Sequence, residues 1–148
     1  MRNPLFQFVM AAFATIFFGV TFHVPRRHYI ACGIVGAVGW VTYLACHDVA
    51  GFSPATATLV AVLPLTVLCR VFAVRFRAPV TLYLLCGIFP LVPGAGIYYT
   101  AYYFLQDQGT LCAERGFETL KIALAIAFGI ALVSAIPLPR HRALPPRK

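Results

Sequence analysis

The stretch VTLYLLCGIFPLVPGAGIYYTAYYF, residues 80–104, holds 25 residues without a charge, enough to cross the roughly 30 Å hydrocarbon core of a bilayer as one helix. Four of its residues work against that helix. Pro90 and Pro93 remove backbone donors and clash with the preceding turn, while Gly94 and Gly96 expose backbone. The pattern predicts a membrane span broken near its middle at Pro-x-x-Pro-Gly. Backbone groups freed at membrane depth must be buried by protein or line a polar cavity, and broken helices of this kind build transporter binding sites. The plainer alternative is a proline kink used only for packing.

The rest of the chain makes a bilayer its solvent. Of 148 residues, 61% are hydrophobic and 11% charged, far from the balance of a soluble domain. The net charge of +8 does not point to nucleic acid, because the basic residues fall in short clusters between apolar spans. Cys32, Cys46, Cys69, Cys86 and Cys112 form no C-x-x-C pair, and the first four lie in apolar spans as small hydrophobes. Cys112 is read as a free thiol in a polar loop. No disulfide, metal or cofactor is implied.

Five stretches are long and apolar enough to span: residues 5–24, 29–46, 54–74, 80–104 and 117–136. The fold class is therefore an all-α integral membrane protein of five transmembrane helices, the fourth of them broken. Ser53-Pro54 marks the third start independently, as an N-cap followed by proline at the first helical position. A signal peptide at the N-terminus is disfavoured, because no small-residue cleavage site precedes His23-Val24-Pro25 and more spans follow.

Charge orients the bundle. Arg26 and Arg27 lie in the first loop, Arg75 and Arg77 in the third, and Arg140, Arg142, Arg147 and Lys148 in the tail, whereas Arg2, Asp48, Asp107, Glu114 and Arg115 lie on the other side. The positive-inside rule puts the N-terminus outside and the C-terminus in the cytoplasm. Residues 137–148 read as a disordered basic cytoplasmic tail near anionic lipid.

Several side chains receive ordinary readings. Arg70, one turn inside the third span, is expected to reach the interface with its long side chain. His47 and Asp48 end the second helix as a solvated cap, and Glu118 and Lys121 stand one turn apart as a local pair. Gly33, Gly36 and Ala37 form a small-residue face for close helix approach, either within the chain or to a partner. Pro64 is a second kink candidate, and the nearby Thr56, Thr58 and Thr66 are expected to satisfy backbone.

The broken span supplies the candidate site: Pro90, Pro93, Gly94, Ala95, Gly96, Ile97, Tyr98 and Tyr99. Its first half should end in free carbonyls close to the membrane centre, and its second half should begin there with unsatisfied N–H groups on about Ala95 to Tyr98. A carboxylate suits those donors, and an ammonium suits the carbonyls, which together fit a zwitterionic amino acid. Tyr98 with Tyr102 and Tyr99 with Tyr103 make two aromatic ridges. Asp107 and Asp48 are candidate mouth or coupling residues. No Asp or Glu falls within a predicted span, so a buried acidic proton relay cannot come from this chain alone.

Through FPLVPGAGIYYTAYY at residues 89–103, with Val24-Pro25-Arg26-Arg27 at the first cytoplasmic turn, the chain resembles the small, second half of the threonine/serine exporter family. The resemblance implies a ten-span exporter split between two chains. A larger partner would bring five spans and a cytoplasmic N-terminal domain, and inverted repeats would give alternating access. It further implies export of threonine and serine, or another small carboxylate, across a bacterial cytoplasmic (inner) membrane, driven by an ion gradient. The competing reading is a membrane scaffold or assembly subunit without its own pathway. An enzyme is disfavoured, because His23, His28, His47 and His141 lack the helical pairing of a metal motif and the spans lack carboxylates.

Overall fold

The computed structural model describes residues 3–137. Arg2 and, apart from Pro137, the whole predicted basic tail lie outside the described residues. Six helices follow in order: α1 (Pro4–Thr21), α2 (Tyr29–Leu44), α3 (Pro54–Phe76), α4 (Val80–Gly87), α5 (Gly94–Leu105) and α6 (Gly109–Ala135). No strand occurs among the described residues. Short turns of 3₁₀ helix at Arg26–His28 and Phe89–Leu91 lead into α2 and out of α4, and a π turn at Ala45–Val49 extends α2.

The first two helices form a hairpin whose register is set by small residues. A Cβ on Gly36 would overlap the Thr15 side chain, and one on Gly33 would press on Ile16 at 3.0 Å. The small-residue face of α2 is thus spent on α1 inside this chain, where it allows close approach. At the far end of the hairpin, Trp40 Nε1–H donates to Gln7 Oε1 at 3.1 Å. Helix α3 packs antiparallel to α2, with Leu65 filling the space over Gly39. Ser53 Oγ accepts from the Thr56 N–H at 3.4 Å, with Pro54 at the first position, as that pair of residues predicts. Pro64 sits inside α3 without ending it.

Helix α4 enters the middle of the bundle. Its Tyr83 and Cys86 are fully buried, and a Cβ on Gly87 would meet Val35 Cγ1 at 2.5 Å. Cys32, Cys69 and Cys86, from α2, α3 and α4, all join this core as unpaired thiols, the role of small hydrophobes expected of them.

Helices α3 and α6 run parallel. Lys121 and Leu124 flank Ala55 and Thr56 at one end, Gly129 lies against Val62, and the Arg70 guanidinium donates to the carbonyls of Val133 and Ile136 at the other. Parallel helices joined through α4 and α5 require those two to cross the bilayer together, since a re-entrant loop would return α6 antiparallel to α3. The bent pair, angled by 57°, is therefore one broken span, and five spans result.

Two local expectations change and two gain detail. Arg70 reaches the end of α6 and caps its last carbonyls, where a cation meets the negative end of the helix dipole. The fifth helix starts at Gly109 rather than near 117, because nothing from Gly109 to Gly116 breaks a helix as proline would, so Cys112 lies in its first turn and not in a loop. Glu118 pairs with Arg115 at 3.2 Å instead of Lys121, the nearer partner on that turn. His47 and Asp48 end the second helix as expected, within the π turn that closes it at Val49, where His47 Nδ1–H donates to the Phe52 carbonyl at 3.0 Å.

Candidate functional site

The break is built by its own sequence. Helix α4 closes at Gly87, the 3₁₀ turn holds Pro90 at its second position, and Val92 (φ −64°, ψ 129°) is extended, as a residue before proline must be. Phe89 is pinned by stacking on Phe18 with ring centroids 4.1 Å apart. Pro93 then caps α5 and Gly94 opens it. The Gly94 N–H goes to the Val92 carbonyl at 2.8 Å, and the Ile97 N–H goes to the Pro93 carbonyl at 3.1 Å. Ala95 and Gly96 are left as the donors without a backbone acceptor among the described residues. The expected set of four, Ala95 to Tyr98, shrinks to two because the cap carbonyl serves Ile97 and Tyr98 lies far enough into α5 to bond within the helix.

Within the bundle the break has a definite level. From Val80 to Pro93, nine residues of α-helical backbone, three of 3₁₀ helix and two extended residues span about 14, 6 and 6 Å. Gly94 thus lies about 26 Å along a path beside α3, whose 23 residues cover about 34 Å. Side-chain contacts agree: Gly96 abuts Thr119 of α6, just beyond Lys121 at the start of α3. The second half thus begins toward the end of the bundle where α3 starts, because the 3₁₀ turn and the extended pair rise faster per residue than an α helix.

From Gly94 onward the span leaves the bundle. No residue of α5 is buried, and its packing partner is α6, with Gly96 against Thr119 and Gly116 against Thr100. Tyr98 is 64% exposed and Tyr99 47%. The two ridges form as spacing predicts, Tyr98 stacking on Tyr102 and Tyr99 on Tyr103, each at 6.3 Å. A groove of about 420 Å³ lies between the end of α1 and α4, one of about 630 Å³ between α3 and α6, and one of about 720 Å³ between α5 and α6. Their walls are mostly apolar. Ile97 lines the third; Ala95, Gly96, Tyr98 and Tyr99 line none of the three.

The structure therefore brings Pro90, Pro93, Gly94, Ala95, Gly96, Ile97, Tyr98 and Tyr99 together as one open wall with two backbone donors at its base. Asp48 and Asp107 do not join it. Asp48 is exposed in the π turn, and Asp107 is exposed in the α5–α6 turn with φ 53°. Among the described residues no cluster of His, Cys, Asp and Glu is arranged to hold a metal ion.

The family model described as Threonine/Serine exporter, ThrE, matches residues 7–136, an interval that covers every helix from α1 to α6 save the edge of the first. The chain belongs to the threonine/serine exporter family. It is a multi-pass membrane protein of an exporter family, and that family is one of transporters rather than enzymes. No curated protein and no solved structure matches the chain. The match takes in the whole interrupted span, so the open wall belongs to the exporter domain itself.

Sequence reasoning passed over one constellation. At the end of the bundle that carries Arg26, Arg27, Arg75 and Arg77, His28 is 1% exposed and bonded on both ring nitrogens, to Tyr83 and to Arg27. The signal was present in Pro25-Arg26-Arg27-His28: a histidine closing a tight turn, where the next helix must begin, points inward.

Proposed function

We propose that this chain is the five-span half of a split secondary transporter that exports small amino acids, threonine and serine or a related small carboxylate, across a bacterial cytoplasmic membrane. It works with a larger partner that adds five spans and a cytoplasmic N-terminal domain. The N-terminus faces outside and the C-terminus the cytoplasm, an orientation supported by the arginines gathered at one end of the bundle. The observation that carries the reading is the free first turn of α5. Ala95 and Gly96 point two unpaired donors from the positive end of a helix, as a carboxylate requires, and the exposed wall above them lacks an opposite side that partner helices would provide.

The test is efflux of labelled threonine from cells that express this chain with and without its partner. Gly94 has no atom within 4 Å of where a Cβ would stand, so a side chain can start there without a clash, and Gly94→Trp is expected to obstruct what passes the break. Efflux that needs both chains and is lost in Gly94→Trp is the expected result. Equal efflux in all strains rules the reading out.

A scaffold role is the second reading, favoured by the openness of α5 itself. Single cysteines at Ala95, Ile97 and Tyr98, in a chain freed of its native thiols, separate the two within the assembled complex. Labelling by a water-soluble thiol reagent that competes with substrate supports a pathway, and protection in every transport state supports the scaffold.

A further inference from the structure

His28 is the one imidazole buried in the bundle among the described residues, and its bonds fix its chemistry. Arg27 Nε–H lies 2.8 Å from His28 Nε2, and a guanidinium can only donate. Nε2 must therefore carry a lone pair, so the proton of the neutral ring sits on Nδ1 and is donated to Tyr83 Oη at 2.6 Å. The ring is held edge-on between Phe76 of α3, at 5.8 Å, and Tyr83 of α4, at 5.5 Å. Both donors and both acceptors are spoken for, with no second tautomer available.

The groups around this pair are few. Its own turn brings Arg27, with exposed Arg26 beside it. Helix α2 brings Cys32, α3 brings Cys69, and α4 brings Tyr83 and Cys86, all in the same core, while Arg75 in the last turn of α3 and Arg77 at its cap lie exposed. The four carboxylates of the chain, Asp48, Asp107, Glu114 and Glu118, stand on the π turn and on the outer turns of α5 and α6, at the opposite end of the bundle.

We propose that His28 Nε2 is a proton-binding site, and that loading it expels the Arg27 guanidinium from the imidazole. A proton taken from water by Nε2 converts the acceptor into a donor facing a donor, and places two cations side by side; the Arg27 bond is then lost, while Arg27 keeps its own protons. Arg27 is exposed and so has water to move into, whereas the ring stays clamped through Nδ1 to Tyr83. Two discrete arrangements result, which is what coupling across a protein requires. Tyr83 belongs to α4, the rigid eight-residue half that ends at the break, so the state of the imidazole bears on the interrupted span. The link to transport rests on the export reading above; the proton site does not.

The test uses the full chain in lipid nanodiscs with ¹³C,¹⁵N-histidine. The His28 signals are assigned by their absence in His28→Gln. At high pH they are expected to report the Nδ1–H tautomer alone, and to pass to the doubly protonated ring as pH falls through about pH 8 to 4. Arg27→Gln, a surface change that leaves the core intact, is expected to let the ring bind its proton roughly tenfold more tightly. A single tautomer throughout that range, or identical titration in Arg27→Gln, overturns the proton site. In proteoliposomes carrying both subunits, His28→Gln is expected to keep downhill threonine flux and lose its stimulation by a pH gradient. Undiminished stimulation overturns the coupling. No flux from the wild-type pair sinks the export reading instead, and the histidine titration still decides the site.

Discussion

The two halves of the fourth span are both free of charge and have opposite fates. Helix α4 buries Tyr83, Cys86 and Gly87 among α1, α2 and α3, whereas α5 buries nothing and touches only α6. Hydrophobicity does not separate them, since in a bilayer an apolar side chain gains little by leaving lipid. Close fit does. Gly87 lets α4 approach Val35, and Tyr83 finds a polar partner in His28. The residues of α5 that would fill a tight interface, Tyr98, Tyr99 and Tyr102, have no counterpart in this chain. A span divided in this way is anchored at one half and available at the other.

The sharpest way to break that contrast is to add one methyl group to each half. Gly87→Ala forces a Cβ into Val35, a fully buried β-branched neighbour, and is expected to cost about 2 kcal/mol. Gly94→Ala meets open space and is expected to stay within about 0.5 kcal/mol of the parent. Chemical unfolding in a mild detergent, followed by circular dichroism, measures both. Equal losses would mean that α5 is packed as tightly as α4. Next in size is Arg70→Met, which uncovers the last carbonyls of α6 and is expected to cost about 1.5 kcal/mol, visible as earlier hydrogen exchange at Val133 to Ile136.

Tyrosine hydroxyls sharpen the same comparison. Tyr83→Phe leaves His28 Nδ1–H without its acceptor and is expected to cost about 1 kcal/mol, while Tyr98→Phe, at an exposed position, should leave the melting temperature of the detergent-solubilised chain unchanged. A comparable drop in both would place Tyr98 in a buried contact. A modest change of the opposite sign is expected at Arg77, which caps α3 with φ 51°. Arg77→Gly relieves that left-handed strain and should raise stability by about 0.5 to 1 kcal/mol, a rise that thermal unfolding resolves.

The spans and the break were legible because each rests on local chemistry. Apolar length announces a helix in lipid, and Pro90, Pro93 and Gly94 cannot continue one wherever they lie. The Ser53-Pro54 start was readable for the same reason. What sequence could not yield was pairing across the bundle. That Arg70 turns to α6, that His28 faces Tyr83, and that Gly36 receives Thr15 are contacts between residues far apart in the chain, and hydropathy is blind to them. The candidate site was half legible: its residues were named from the motif, but its depth and its two remaining donors depend on how a 3₁₀ turn and an extended pair spend the distance between α4 and α5.

The Arg70 contact has a bearing on how the protein is made. Its carbonyl partners lie 63 and 66 residues later in the chain, so during synthesis the third span enters the bilayer with a cation that nothing yet accepts. A nascent chain that stops short of Val133 keeps that charge uncapped at the membrane edge. Completion of α6 is thus what supplies the acceptors for a cation placed in the chain long before.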